Sequence, residues 1–300
     1  MPVLDSKTIT DIASGTSLDS VADYVRSSRC ILFLGSGVHF PSPRHQYLEH
    51  ECPPLGGQFS ARLADKCRFR ERFPRESPTN LQRVSLCYEI EHSRAELVEE
   101  VRQAVQVNKR PSPALLALAK MPFSLIVTTN YDRLFEEALH RAGKRPRVGI
   151  YSPSGIVQTV DHRDESTPDK PFVFKLHGDI ETPESIVLTD EDYIQFVLRM
   201  GDKGNFHPVP ETFRYLLKRW PTLFVGYSLL DYNLRLLFKT LRWKLDPAAF
   251  PPTYSVDPSP DPLIFDVMFS QRRHVTFIAK DVWTFVPELY SRVTGLEMPI

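Results

Sequence analysis

Four short apolar runs in this chain each end in glycine or polar residues, and a helical pattern follows most of them. The runs are Cys30–Leu34 before Gly35-Ser36-Gly37, Leu125–Thr129 before Asn130-Tyr131-Asp132, Phe172–Phe174 before Lys175 and His177, and Thr222–Val225 before Gly226-Tyr227-Ser228. Unbroken apolar runs of this length are typical of parallel strands buried on both faces. Strands that alternate with helices predict an α/β fold, a doubly wound Rossmann-like parallel sheet with helices on both faces.

The composition is that of an ordinary globular protein. Of 300 residues, 42% are hydrophobic and 25% are charged, and Lys+Arg and Asp+Glu both number 37. This balance gives no argument for non-specific binding to nucleic acid. No apolar run reaches the roughly 18 residues that a membrane span requires, and the N-terminus has no signal-peptide pattern, so we expect a cytoplasmic protein.

Cysteine usage predicts free thiols and no zinc site. The four cysteines are Cys30, Cys52, Cys67 and Cys87, and no two of them are spaced as CxxC. Zinc sites built from cysteine usually show such close pairs.

The remaining segments predict a single domain over 1–300 with a small helical insertion at 79–120. Residues 38–58 are a long loop rich in Pro and His, and 146–170 is a hairpin or an irregular loop. Helices are expected at 17–28, 59–69, 190–200, 211–219 and Trp283–Val293, and further short strands at Ile186–Leu188, Pro252–Val256 and Val275–Ile278. Thr189 is placed to cap the helix at 190–200, with Asp192 as its acidic third residue.

Polar residues at the strand ends are candidates for a site, because ligands of open parallel sheets bind beyond the carboxyl ends of the strands. His177 can act there as a base near neutral pH, or it can be a histidine satisfied in a strand-end turn. Asn130 can contact a ligand, or it can cap the following helix, with Asp132 in its first turn.

The Gly35-Ser36-Gly37 turn is half of a dinucleotide-binding fingerprint. Glycine lets backbone N–H groups approach an anion, but the third glycine is missing, since position 40 is Phe. The turn therefore predicts either an approach to phosphate or an ordinary connection between a strand and a helix.

At these residues the chain resembles the sirtuin superfamily. It is most similar to the bacterial sirtuin-like NAD hydrolases of anti-phage defence. The matching blocks are GSGV at 35–38, TTNYDRLFEEAL at 128–139, KLHGDIETPESIVLTDEDY at 175–193 and VGYSLLDYNLR at 225–235. They follow the family's order over about 30–240, and as a set they are specific.

The resemblance implies NAD as the substrate and a role for each motif. Asn130 and Asp132 would lie beside the nicotinamide ribose, and His177 would be the catalytic histidine. The residues expected to bind the rest of NAD are Gly35, Ser36 and Gly37 at the pyrophosphate, Gly226, Tyr227 and Ser228 at the adenosine half, and Asp231 close by.

Two departures separate the chain from the deacetylases that it resembles. It lacks the CxxC…CxxC zinc module, and VHFPSPRHQYL replaces the GIPDFR-like segment after the glycine turn. The roles of His39, Arg44 and His45 in that segment stay open. The expected reaction is hydrolysis of NAD to nicotinamide and ADP-ribose without a metal. The alternatives are an NAD-dependent protein deacylase and a catalytically silent nucleotide-binding subunit.

Partners are expected by resemblance. A free NAD hydrolase would deplete its host, so we expect control from outside the chain. A homo-oligomer, a HerA-type ATPase or a short Argonaute would supply that control.

Overall fold

Seven parallel strands form one sheet at the centre of the molecule. A computed structural model describes residues 17–43, 47–151, 166–200, 202, 209–227, 250–263 and 275–299. The strands are β1 (Ile31–Leu34), β2 (Leu125–Thr128), β3 (Arg147–Ile150), β4 (Phe172–Lys175), β5 (Thr222–Val225), β6 (Thr253–Val256) and β7 (Val275–Ile278). Their order across the sheet is β3-β4-β2-β1-β5-β6-β7, and every neighbouring pair is parallel. The predicted doubly wound Rossmann-like sheet is confirmed.

The central strands are apolar throughout because both faces of the sheet are covered. In β1, Leu32 and Leu34 belong to one apolar cluster, whereas Ile31 and Phe33 belong to the cluster on the opposite face. This alternation follows from the strand's period of two residues. Phe33 packs on Phe224 of β5, with their ring centroids 4.6 Å apart.

Helices cover both faces of the sheet. One lies at 17–26, and the other helices within the described residues are Gly56–Lys66, Phe69–Arg72, Leu81–Glu91, Arg94–Val105, Pro113–Lys120, Leu134–Arg141, Asp190–Arg199, Glu211–Leu217 and Val282–Thr294. The predicted cap is confirmed: the Thr189 hydroxyl accepts from the Asp192 amide at 3.3 Å, and the Asp192 carboxylate accepts from the Thr189 amide at 2.9 Å. Among the described residues, no helix is both long and apolar enough to cross a membrane.

The segment at 79–120 divides between two cores. Residues of Leu81–Glu91 and Arg94–Val105 form a third apolar cluster with Phe59, Leu63 and the chain after β4. The helix Pro113–Lys120 instead packs into the main core beside the sheet.

Two sequence-based expectations are wrong. The start of 146–170 is neither a hairpin nor an irregular loop, since Arg147–Ile150 pairs in parallel with β4. Ile186–Leu188 is not a strand. It follows a short helical turn at Pro183–Ser185, and Ile186 and Leu188 bury their side chains in the third apolar cluster instead of joining the sheet.

Candidate active site

The four predicted motifs lie at the ends of four consecutive strands. The strands β4, β2, β1 and β5 are neighbours in that order and run parallel, so their carboxyl ends share one edge of the sheet. The chain moves from β1 to β2 on one side and later returns to β5 on the other. The motifs therefore surround the point where the strand order reverses, which is where open α/β sheets bind ligands.

Glycines let the β1 and β5 loops interlock. The Gly35 amide donates to the Val225 carbonyl and the Gly37 amide to the Gly226 carbonyl, both at 3.0 Å. A Cβ at Gly35 would lie 2.4 Å from the Gly226 oxygen, so no larger residue fits. Because two of the three amides of the GSG turn join the loops to each other, the exposed Ser36 is the residue of the turn best placed to meet an anion.

Threonines at the end of β2 and just beyond it tie the Asn130 motif to its neighbours. The Thr128 hydroxyl donates to the Leu34 carbonyl at 2.8 Å and accepts from the Asn130 amide at 3.0 Å. The Thr129 hydroxyl lies 3.1 Å from the hydroxyl of Tyr227. The motif after β2 is thus tied to the ends of both β1 and β5.

Asn130, Asp132 and His39 form a cluster at this edge. The His39 Nε2 atom lies 3.1 Å from a carboxylate oxygen of Asp132 and 3.2 Å from the amide group of Asn130. The other oxygen of Asp132 accepts from the backbone amide of Leu134 at 2.9 Å. Asp132, not Asn130, therefore satisfies the start of the following helix, and the side chain of Asn130 is turned to His39.

Asp132 is ionised although it is buried, with 5% of its surface exposed. Burial raises the pKa of this carboxyl, but His39, Lys175 and the Leu134 amide together outweigh burial and hold the pKa below its ordinary value.

A buried ammonium group joins the ends of β2 and β4. Lys175 is fully buried, and its Nζ donates to the backbone carbonyls of Tyr131 and Asp132. The same atom lies 3.2 Å from the Glu136 carboxylate and 3.0 Å from that of Asp179. Burial lowers the pKa of Lys175, but these carboxylates more than offset it and raise the pKa.

Lys175, Glu136 and Asp179 were not predicted as site residues. The sequence does carry a signal for the lysine. In the run FVFK, Lys175 shares the face of Val173 by the period of two, so it had to be buried and paired.

His177 lies just beyond β4 with 2% of its surface exposed. Its ring packs edge-to-face against Tyr193, with centroids 5.3 Å apart, and against Phe196 at 5.9 Å. Gly178 turns the chain away with φ +90°, and a Cβ there would lie 2.2 Å from the Ser185 carbonyl oxygen. The glycine is therefore required by both the backbone angle and the space.

Not all predicted residues can be placed. Gly226 and Tyr227 lie at the edge described above, whereas Ser228, Asp231, Arg44 and His45 lie outside the described residues.

The four cysteines are free, as predicted, and the structure buries all of them. The structure nevertheless brings Cys67, Cys87 and Glu91 together, with their ligand atoms within 4.8 Å of one another. The guanidinium of Arg72 lies 3.4 Å from the Cys87 sulfur and 3.2 Å from the Glu91 carboxylate. Burial raises the pKa of Cys67 to about 12, which disfavours the thiolate that a metal requires.

A surface cavity of about 560 Å³ lies elsewhere, lined by Arg110, Leu116, Lys120, Arg141 and Pro299 among others. None of the residues predicted for the site lines it. We place the candidate site at the strand ends because the polar groups converge there.

Replacing Lys175 by Met is expected to lower the free energy of unfolding by about 3–5 kcal/mol, because it leaves the carboxylates of Asp179 and Glu136 buried without their cation. Arg133→Met is the matched control. Arg133 also pairs with Asp179, at 2.9 Å, but 44% of its side chain is exposed. We expect the control to lose about 1 kcal/mol. Urea unfolding followed by circular dichroism measures both, and equal losses would contradict the assignment.

Comparisons with known proteins agree with this geometry. The family model described as a SIR2-like domain matches residues 124–278, which include the motifs after β2, β4 and β5. The chain is 31% identical over 151 residues to the NAD(+) hydrolase ThsA of Acinetobacter baumannii, an alignment that covers 50% of this chain and 29% of that protein. It is 26% identical over 161 residues to the defense-associated sirtuin 2 of Bacillus subtilis, covering 53% of this chain and 14% of that protein.

The chain thus spans less than a third of the length of these curated relatives. Among solved structures, it is similar to a Sir2 protein in complex with the inhibitor EX-527, 2'-O-acetyl-ADP-ribose and a deacetylated p53 peptide. That comparison has 15% identity and a TM-score of 0.42, and it covers 90% of this chain and 96% of the other. The family model accounts for more than half of the sequence and includes the strand ends that carry Asn130, Asp132 and His177, so the chain belongs to the SIR2-like domain family.

Proposed function

We propose that the chain hydrolyses NAD to nicotinamide and ADP-ribose. The observation that carries the proposal is the cluster of Asn130, Asp132 and His39 at one sheet edge, next to the strand end that bears His177. Several relatives are named NAD(+) hydrolase, which supports the same reaction. We propose that Gly35, Ser36 and Gly37 face the pyrophosphate. Gly226, Tyr227, Ser228 and Asp231 are proposed to line the adenosine half.

The reaction requires an acceptor for a proton and stabilisation of positive charge. The bond between the ribose C1′ and the nicotinamide nitrogen breaks, and the nitrogen keeps the electron pair. The ribose passes through an oxocarbenium-like state, which water attacks with loss of a proton. His177 accepts a proton from a ribose hydroxyl or from that water, and Asn130 holds the ribose or the water.

Asp132 contributes its charge. Both of its oxygens already accept hydrogen bonds, one from Leu134 and one from His39. Of the two roles that the sequence left open, stabilisation of the developing positive charge is therefore the one that its contacts favour over direct binding of the ribose hydroxyls.

The two alternatives have less support. A protein deacylase would share the pocket, but the relatives named above are hydrolases or defence proteins by name. A silent nucleotide-binding subunit would not require the pairing of Asn130, Asp132 and His39.

Asn130→Ala and His177→Ala are each expected to lower nicotinamide release by at least about 100-fold, since a base or a positioning group typically contributes that much. His140→Ala, at an exposed position of the helix Leu134–Arg141, is the control and should keep full activity. Chromatography of nicotinamide from purified protein measures the rates. Wild-type rates in either site variant, with an unchanged melting temperature, would remove that residue from the mechanism.

We also propose that the reaction uses no metal, because nicotinamide leaves as a neutral group. At Cys67, Cys87 and Glu91, the Arg72 guanidinium already supplies a positive charge. We expect elemental analysis to find no stoichiometric zinc and EDTA to leave nicotinamide release unchanged. One zinc per chain, lost in Cys87→Ser, would contradict this.

The chain is proposed to act as the effector of an anti-phage defence system. The name of the Bacillus subtilis relative, defense-associated sirtuin 2, supports this. Control from outside, by a homo-oligomer or by a HerA-type ATPase or short Argonaute partner, stays a prediction, as does a cytoplasmic location.

Assembly is expected to change the rate of NAD hydrolysis. Mass photometry and the nicotinamide assay, run on the same sample with and without the co-encoded partner, test this. We expect a higher rate in the assembled form, because unregulated hydrolysis would deplete the host. A strictly monomeric protein with a full and unchanged rate would rule the scheme out.

A further inference from the structure

His39 is a buried histidine whose role the sequence leaves open. It ends the short helical turn Ser36–His39 that follows β1, and only 2% of its surface is exposed. The turn brings its ring to the end of the neighbouring strand β2, where its Nε2 atom contacts both Asp132 and Asn130.

The contact with Asp132 determines which ring nitrogen carries the proton. An ionised carboxylate can only accept, so the Nε2 atom, 3.1 Å away, must donate. The other ring nitrogen, Nδ1, is buried and has no hydrogen-bond partner within the described part of the chain. The contact with Asp132 therefore places a proton on Nε2.

The proton on Nε2 determines the orientation of the Asn130 amide. With the amide nitrogen 3.2 Å from Nε2, two donors would face each other. The oxygen and nitrogen of an amide are distinguished by their hydrogen bonds, so the oxygen of Asn130 faces the imidazole. Its NH₂ group then lies on the other branch of the amide, away from His39.

We propose that His39 is a positioning residue that acts through Asn130. Its Nε2–H holds the carboxylate of Asp132 and the amide oxygen of Asn130, and this directs the Asn130 NH₂ group to an oxygen of a ribose hydroxyl of the substrate. A hydroxyl that accepts in this way keeps its own hydrogen for a base such as His177. The inference rests on the proposed NAD hydrolysis for its substrate, but the hydrogen-bond assignment does not depend on it.

Two substitutions of His39 distinguish a contact through Nε2 from one through Nδ1. In His39→Gln the side-chain amide reaches the position of Nε2, whereas in His39→Asn it reaches only that of Nδ1. We expect His39→Asn and His39→Ala to lower kcat by about 100-fold with KM little changed, because a misplaced positioning group costs that much. His39→Gln keeps the donor in place, so we expect its kcat to stay within about fivefold of wild type. Activity in His39→Asn together with loss in His39→Gln would overturn the proposal in favour of a contact through Nδ1.

A second measurement does not use activity. ¹⁵N NMR of the histidine rings, with His39 assigned by its loss in His39→Gln, is expected to show a proton on Nε2. A ring without a proton on Nε2 would overturn the assignment even in an active enzyme. If the wild-type protein releases no nicotinamide, the proposed function fails, while the NMR result still decides how His39 and Asn130 are paired.

Discussion

The buried ammonium group of Lys175 is the interaction on which the candidate site depends. It lies at the end of β4 and donates to the two backbone carbonyls that follow β2, those of Tyr131 and Asp132. A charge with no exposed surface is stable only when it is paired, and Glu136 and Asp179 supply the pairing. Because one atom contacts both loops, the residues after β2 and β4 are held in a single arrangement.

On the side of β2 that faces β1, hydrogen bonds between uncharged groups hold the strand ends together. Thr128 joins β2 to β1 through the Leu34 carbonyl, and the interlocked glycine loops join β1 to β5. Asn130 and Asp132 therefore lie between the ion pairs of Lys175 on one side and the backbone hydrogen bonds of the glycine loops on the other. A site held in this way needs little rearrangement to stabilise a developing charge, which is the main source of electrostatic catalysis.

His39 changes the interpretation of the motif after β2. Asp132 is the group expected to hold the ribose or its charge, yet it also accepts hydrogen bonds from His39 and from the Leu134 amide at the start of the next helix. One carboxylate thus joins the glycine turn, the Asn130 motif and the helix Leu134–Arg141. The loop after β1, which departs from the deacetylase pattern, carries this histidine. The departure therefore changes a residue that contacts Asn130 and Asp132 in the candidate site.

The sequence by itself determined the sheet, its parallel strands and the motif residues, because short apolar runs followed by glycine or polar residues are local patterns. It did not determine that Arg147–Ile150 forms β3 or that Ile186–Leu188 stays outside the sheet, since pairing and burial depend on distant partners. It named Asn130, Asp132 and His177, but not the contact between His39 and Asp132 or the network around Lys175. His39 lies 93 residues from Asp132 along the chain, and Lys175 lies 39 residues from Glu136. Only the order of strands in the folded sheet brings them within hydrogen-bond distance.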